Sequence, residues 1–219
     1  MRAEHERRGE KEPTIFVAPN CYDYYGLAQT RDLDIKPGRT LGNRLWLSGR
    51  MNADLEIWQS DVAPLLDEMN LRFVHVGEDE DEKTTHLRDW GFPADRLETR
   101  RSVVLPHLGK AMEGVSIGVI VQGKHPYNDA KTETNGVELA SLGLPLVAHT
   151  DHVLYENAPG LVPLSAGKAG VAERIEALLD PDIWALESLA SKTWAKKTAE
   201  RSEAAYLESL QKLVHLIMS

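Results

Sequence analysis

The chain has 219 residues, of which 42% are hydrophobic and 27% are charged, so its composition is that of a folded domain with a real core. Its 25 Lys and Arg against 34 Asp and Glu give a formal charge of −9, which argues against nucleic acid and anionic membrane surfaces as partners. The single cysteine, Cys21, excludes a disulfide framework within the chain, and no apolar run reaches the roughly 18–20 residues of a membrane span. The first residues are charged and lack a signal-peptide core, so we expect a cytoplasmic protein.

Strand-like and helix-like segments alternate along the chain after a charged start. Short apolar runs bounded by Gly, Pro or Asn predict strands at residues 14–18, 45–47, 71–76, 97–99, 115–121, 144–148 and 161–164. Apolar residues at steps of three and four predict helices at residues 55–69, 80–90, 105–112, 132–142, 171–179 and 183–218. This alternation predicts an α/β fold with a Rossmann-like parallel sheet, helices on both faces and further C-terminal helices.

The chain is predicted to fall into three parts. Residues 1–40 form a charged lead-in and an extended connector, residues 41–180 hold the sheet, and residues 181–219 are helical. An apolar stripe predicted to cover the sheet comprises Ile183, Leu186, Leu189 and Trp194. A second stripe comprises Leu207, Leu210, Val214 and Ile217. The second stripe either folds back on its own domain or is a docking surface for another protein.

Ligands of parallel sheets bind beyond the carboxyl ends of the strands, so the residues just after each strand are the candidates for a site. Gly49 and Arg50 follow the predicted strand at 45–47, and Gly77 follows the predicted strand at 71–76. Glycine lets a backbone approach a ligand closely, and arginine binds phosphate through two parallel hydrogen bonds. The alternative is an ordinary strand-to-helix turn with a surface arginine.

The helix at 132–142 carries a second group of candidates near its start. Lys131, Asn135 and Glu138 are spaced by four and three residues, so they share one helix face. A cation, an amide and a carboxylate on that face are suited to reading a phosphate together with a polyol. A solvent-exposed face with an ordinary charge pair is equally compatible with the spacing.

Two acidic or histidine-containing segments resemble metal sites only superficially. The carboxylates at residues 78–82 are also what a helix N-terminus favours, because the helix dipole is positive there. His149, Asp151 and His152 lie on one short segment without a further ligand at zinc-binding spacing. We therefore predict no metal site.

The residues following the 115–121 strand resemble the C-terminal, donor-binding half of GT-B glycosyltransferases, most closely the retaining group called family 4 or group 1. The most specific stretch is residues 137–148, which read Val-Glu-Leu-Ala-Ser-Leu-Gly-Leu-Pro-Leu-Val-Ala. Upstream, Ser48-Gly49-Arg50 looks like the family's phosphate turn, and residues 73–77 look like its second strand and glycine. The resemblance covers residues 14–200, roughly the whole predicted sheet domain.

The resemblance implies a nucleotide-diphosphate-sugar donor, transferred to an unidentified acceptor without a metal or other cofactor. By this analogy Arg50 and Lys131 would act on the diphosphate as the catalytic cations, and Glu138 would bind the ribose hydroxyls. Gly49 and Gly77 would let the backbone approach the donor, and Asn135 would stand where the family carries a lysine.

Two features of the sequence keep a second interpretation open. The family's lysine after the first turn is missing from residues 52–56, and about 40 residues precede that turn, too few for an acceptor domain. Either the chain is a fragment, or its acceptor half is a separate polypeptide, or the chain stands alone. We expect a separate acceptor-domain protein, or a second copy of this chain, docked through the C-terminal helix. The alternative is a non-catalytic nucleotide-sugar-binding or scaffold subunit.

Overall fold

One parallel sheet organises the protein in the computed structural model, which describes residues 35–44, 52–77, 91–101, 103–125, 128 and 133–218. Its strands are β1 (Thr40–Asn43), β2 (Arg72–Gly77), β3 (Leu97–Arg101), β4 (Ile117–Gln122), β5 (Leu146–Thr150) and β6 (Leu161–Val162). All described pairings are parallel, and the strand order is β3-β2-β1-β4-β5-β6. This order is that of the doubly wound Rossmann fold, so the sequence prediction of the fold class is confirmed.

Helices cover both faces of the sheet. They are α1 (Asn52–Ile57), α2 (Ala63–Glu68), α3 (Leu108–Ala111), α4 (Thr134–Ser141), α5 (Gly167–Ala177) and α6 (Pro181–Met218). Apolar residues of α2 and α5 pack with Phe73 and Val147 on one face, and those of α4 and α6 pack with Val76 and Ala148 on the other. Every residue of β4 is buried, as expected for a strand covered on both sides.

A π-helical turn, Trp58–Val62, separates α1 from α2. The Ala63 amide donates to the carbonyl of Trp58, five residues back, instead of forming an α-helical bond. The next residue is Pro64, which has no N–H to donate to Ser60 and whose ring clashes with a carbonyl four residues earlier. The wider turn is therefore a local consequence of the proline.

Strand β1 lies earlier in the chain than the strand that the sequence predicts at 45–47. The structure places β1 at Thr40–Asn43, whereas the apolar run at 45–47 lies outside the described residues, as do the candidates at 14–18 and 80–90. Gly42 and Asn43 are poor strand formers on composition alone. Gly42 nevertheless fits because an added side chain would meet the side chain of Val115, so close packing against that side chain selects glycine.

The buried face of α6 differs from the predicted one. Ile183, Leu186 and Leu189 are 40%, 70% and 63% exposed, so the prediction that these residues cover the sheet is wrong. The buried face instead comprises Trp184, Ser188, Ser191, Trp194, Ala195, Thr198 and Ala199. The Trp184 indole donates to the Ser116 carbonyl at 2.8 Å, and the Ser188 hydroxyl donates to the Gly143 carbonyl at 2.6 Å. Hydrogen bonding and small side chains, not aliphatic spacing, thus select this face.

The chain divides into two units, and the larger one, Tyr22–Ala199, contains the whole sheet. The described residues of the smaller unit are 200–218, the last part of α6. There Leu207 and Val214 are 52% and 54% exposed, and Glu208 pairs with Lys212 one turn away. Within the described residues, no helix combines the length and the apolar character that crossing a bilayer requires.

Gly160, in the connection from β5 to β6, is expected to be intolerant of any side chain. Its φ is +80°, and a Cβ atom there would collide with the carbonyl oxygen of Leu146. We expect Gly160→Ala to lower the free energy of unfolding by at least about 3 kcal/mol, measured by urea denaturation.

Gly114→Ala is the matched control for Gly160→Ala, because Gly114 has φ +78° but nothing within 4 Å of the added atom. This control isolates the backbone strain, which is worth about 1–2 kcal/mol. Equal losses for the two variants would contradict the predicted steric clash.

Candidate functional site

The candidate site lies where β1 and β4 run side by side in the middle of the sheet. The chain leaves β1 toward α1 and α2 on one face, and leaves β4 toward α4 on the other. The two connections diverge beyond the carboxyl ends of these strands, at the point where doubly wound sheets hold their ligands. Polar side chains from both connections meet at this edge.

The first polar contact joins α1 to the loop after β4. Asp54 is 4% exposed, and its Oδ1 accepts hydrogen bonds from the Gly123 amide and from the Asn128 side-chain amide, each at 2.7 Å. The same Asn128 amide group donates to the Gly123 carbonyl at 2.8 Å, and Gln122 donates to the Asn128 carbonyl at 3.1 Å. These bonds hold the beginning of the β4 loop against the start of α1.

The second polar contact joins the end of β1 to α4. Arg44 follows β1 directly, and its Nη1 donates to Glu138 Oε2 at 2.8 Å while its Nη2 donates to the Val103 carbonyl at 3.1 Å. The two side chains are 11% and 9% exposed. A guanidinium and a carboxylate thus form an almost buried ion pair across the site.

Burial dominates the acid-base behaviour of Glu138. Loss of solvent raises the pKa of its carboxyl above the ordinary value of 4.5, and the charge and hydrogen bond of Arg44 oppose that rise. The ionised form of this carboxyl group therefore depends on the neighbouring guanidinium. The protonation of Glu138 is therefore set by its burial on one side and by Arg44 on the other.

Gly77 ends β2 next to this edge. A side chain at Gly77 would collide with the imidazole of His75, which is 1% exposed and projects from the same face of the strand. The glycine therefore makes room for a buried histidine. Whether its backbone also approaches a ligand stays a prediction.

Asn43 contributes a buried polar group at the end of β1. Its side-chain amide donates to the Val119 carbonyl at 2.5 Å, which identifies the other terminal atom as the oxygen. That Oδ1 has no hydrogen-bond partner within the described residues. The polar character of this edge thus extends into the sheet itself.

The predicted site residues divide into two sets. Gly49, Arg50 and Lys131 lie outside the described residues. Asn135 and Glu138 share a face of α4 as predicted; Asn135 is half-buried in the first turn and Glu138 lies one turn later.

Sequence reasoning missed Arg44 and the role of Asp54. Arg44 follows the end of β1 in the structure. The sequence predicts the strand at 45–47, which places Arg44 before the strand instead of after it. Asp54 lies on α1, and its carboxylate binds the loop after β4, 69 residues away. A correct β1 boundary was the one sequence signal that would have selected Arg44.

A buried histidine lies at the end of β5. His149 is fully buried; its Nε2 lies 2.8 Å from Asp61 Oδ2, and its Nδ1 lies 3.2 Å from the Val162 carbonyl. The π-helical turn carries Asp61, so the widened backbone brings the carboxylate to the ring. Across the described part of the chain, no three His, Cys, Asp or Glu side chains are grouped to hold a metal ion.

The chain was compared with known families, sequences and structures. No family model matches it, and no curated protein sequence matches it significantly. Solved structures, in contrast, do match this chain. A mutant of S. aureus TarM in complex with fondaparinux, alpha-GlcNAc-glycerol and UDP has a TM-score of 0.61 at 13% identity, covering 95% of this chain and 42% of that one. A T4 phage BGT mutant in complex with UDP-glucose has a TM-score of 0.58 at 12% identity, covering 86% of this chain and 52% of that one.

A third similar structure is WaaG, a glycosyltransferase involved in lipopolysaccharide biosynthesis, with a TM-score of 0.51 at 13% identity over 82% of this chain and 51% of that one. These likenesses confirm the Rossmann-like α/β fold, and the neighbours that share it are GT-B glycosyltransferases. The chain spans between 42% and 52% of the lengths of these three structures.

The raised pKa of Glu138 predicts a pH dependence of stability. Between pH 4.5 and its folded pKa, the folded state binds more protons than the unfolded state, so the free energy of unfolding falls as the pH rises through this window. Glu138→Gln should remove this component, seen as a flatter plot of unfolding free energy against pH above 4.5.

Asp151→Asn is the matched control for the pH experiment. Hydrogen bonds from the Leu164 amide and Lys124 lower the pKa of Asp151 below 3.8, so its contribution to stability is lost only as the pH falls below that value. The slope above pH 4.5 should therefore survive in Asp151→Asn. If it survives in Glu138→Gln as well, Glu138 is not its source.

Proposed function

We propose that the chain is the donor-binding half of a glycosyltransferase, which transfers a sugar from a nucleotide-diphosphate sugar to an acceptor. The observation that carries the proposal is the Arg44–Glu138 pair at the β1–β4 edge of a fold shared with structures that hold UDP or UDP-glucose. This edge is where doubly wound sheets bind nucleotides. A carboxylate on α4 supplies the acceptor that ribose hydroxyls require.

The proposed chemistry breaks the bond between the anomeric carbon and the diphosphate oxygen. Negative charge develops on the departing diphosphate, so the catalytic task is to neutralise it. In the proposal Arg50 and Lys131 perform that task together with the amides of the α4 N-terminus, and Gly49 and Gly77 leave room for the donor. A divalent metal is not required by this arrangement of cations.

The groups that position the acceptor are proposed to come from a separate acceptor-binding domain. The chain covers about half of each similar structure, or less, and an acceptor-binding domain would supply the remainder. We propose that this partner, or a second copy of the chain, docks on the C-terminal helix, where Leu207 and Val214 are more than half exposed.

A non-catalytic nucleotide-sugar-binding or scaffold subunit is the second candidate. One observation favours it: in the turn where the resembled family carries a lysine, Asp54 is engaged by Gly123 and Asn128. A carboxylate placed there repels phosphate instead of binding it. The two candidates differ in whether sugar is transferred once a nucleotide sugar and an acceptor domain are both supplied.

Nucleoside diphosphates should stabilise the chain. We expect UDP, GDP or ADP at 100 times its Kd to raise the free energy of unfolding by about 2.7 kcal/mol, visible as a higher melting temperature. Glu138→Gln should remove most of that increase because the ribose contact is lost. If none of the three raises the melting temperature at millimolar concentration, the donor-site proposal fails.

The same titrations can separate the contributions of the diphosphate and the nucleoside. Arg50→Ala and Lys131→Ala should weaken nucleoside diphosphate binding by about 1.5–3 kcal/mol each and leave nucleoside binding nearly unchanged. Arg39→Ala is the control for loss of a positive charge, because Arg39 precedes β1 at the opposite edge of the sheet and donates to the Met69 carbonyl. Equal losses for nucleoside and nucleotide would assign Arg50 and Lys131 to structure.

The docking proposal predicts a change in assembly when the exposed stripe is altered. Leu207→Asp should weaken self-association, or the capture of an added acceptor domain, measured by sedimentation velocity. Glu208→Gln, on the adjacent residue, is the control for an altered surface charge. Sedimentation unaffected by Leu207→Asp, with and without the added domain, would remove the stripe from the proposal.

A further inference from the structure

Arg44 stands out among the polar residues of the site because none of the roles proposed above explains it. It is 11% exposed, which is unusual for an arginine, and its guanidinium has two partners at once, Glu138 and the Val103 carbonyl. The fork of the guanidinium is thereby fixed between the end of β1 and the segment before α3. A side chain held in this way can set the position of whatever it binds.

The partner of this fixed guanidinium is the carboxylate proposed to bind ribose. Within the described residues, Arg44 is the hydrogen-bond donor to Glu138, and it uses only Oε2. The other carboxylate oxygen is therefore left for a ligand. The ion pair holds the carboxyl group in one orientation while leaving one acceptor for a hydroxyl.

Within the described residues, the ion pair of Glu138 is formed with Arg44. The strands beneath α4 contribute Ile120 and Ala148 to its packing, both apolar. Glu133 precedes the first residue of α4, and on α6, Lys192 lies against Gly143 beyond the other end of that helix. In the described part of the chain, the charge of Arg44 is thus the one placed to offset the burial of Glu138.

We propose that Arg44 is a positioning residue for nucleotide recognition, which keeps the Glu138 carboxylate ionised and aimed at the ribose diol. This inference rests on the proposed function. Burial alone favours the protonated carboxylic acid, and a protonated Glu138 would be a weaker acceptor for hydroxyl groups. Arg44 thereby acts on the nucleotide through Glu138, without a required contact of its own.

The test compares two probes that differ only in the ribose, UDP and 2′,3′-dideoxy-UDP. Calorimetric titrations at several pH values are made on the wild-type protein and on Arg44→Gln, Arg44→Lys and Glu138→Gln. In parallel, carboxyl-carbon NMR follows the Glu138 titration without ligand, assigned by the signal that Glu138→Gln removes.

In Arg44→Gln, we expect the Glu138 titration to move to higher pH, because the cation that lowers its pKa is gone. The affinity for UDP relative to that for dideoxy-UDP should then fall by up to about tenfold per pH unit below that pKa, because the diphosphate titrates alike in both probes. Arg44→Lys retains the charge and should behave like the wild type. Glu138→Gln should bind UDP weakly at every pH.

Two results would overturn the inference while leaving the proposed function intact. One is an unchanged Glu138 titration in Arg44→Gln, and the other is equal weakening of UDP and dideoxy-UDP, which a purely structural arginine would cause. If Arg44→Gln does not fold, Arg44→Lys decides the question instead. A pH profile of UDP binding in Arg44→Lys that differs from that of the wild type would then overturn the inference. Failure of the wild-type protein to bind any nucleoside diphosphate would instead refute the proposed function, and with it the ribose role of Glu138.

Discussion

The adjacency of β1 and β4 is the constraint on which the rest of the structure depends. Neighbouring parallel strands whose connections leave toward opposite faces open a crevice at their carboxyl ends, and buried polar groups there need partners from across that crevice. Two contacts supply these partners, one through an acceptor and the other through a donor on the β1 side. Asp54, beyond β1, binds Gly123, beyond β4, and Arg44, beyond β1, binds Glu138 on the helix that follows β4. The hydrogen bonds that satisfy these buried groups thus also hold the two sides of the site together.

The electrostatics of this edge differ from those of the chain as a whole. A protein with a formal charge of −9 repels phosphate at long range, so an anion must find local attraction. Arg44, the described cation at the end of β1, is already engaged with Glu138. The diphosphate in our proposal therefore depends on Arg50, Lys131 and helix amides, whereas the Arg44–Glu138 pair serves the neutral, hydroxyl-bearing part of the ligand.

Fold and function are supported by different observations here. The parallel sheet, its order and its two helical layers are shared with similar solved structures at 12–13% identity, and that likeness concerns the backbone alone. The functional proposal depends instead on individual side chains at the edge of the sheet. The chain spans about half of each similar structure or less, and the proposal assigns acceptor binding to a separate domain.

The order of strands and helices could be predicted from the sequence. Strands buried on both faces leave continuous apolar runs, such as residues 115–121. Amphipathic helices leave apolar residues at steps of three and four. The shared face of Asn135 and Glu138 followed from helical spacing in the same way. Periodicity is a local property, so these features need no knowledge of distant residues.

Tertiary packing decided the rest. It placed a strand at Thr40–Asn43 although Gly42 and Asn43 are poor strand formers, and Gly42 fits there because a larger residue would meet the Val115 side chain. It turned Leu186 outward on α6, because hydrogen bonds from Trp184 and Ser188 select the opposite face. It also brought Arg44 to Glu138 across 94 residues of chain, a pairing that no local pattern encodes, since only the folded sheet places the two connections beside each other.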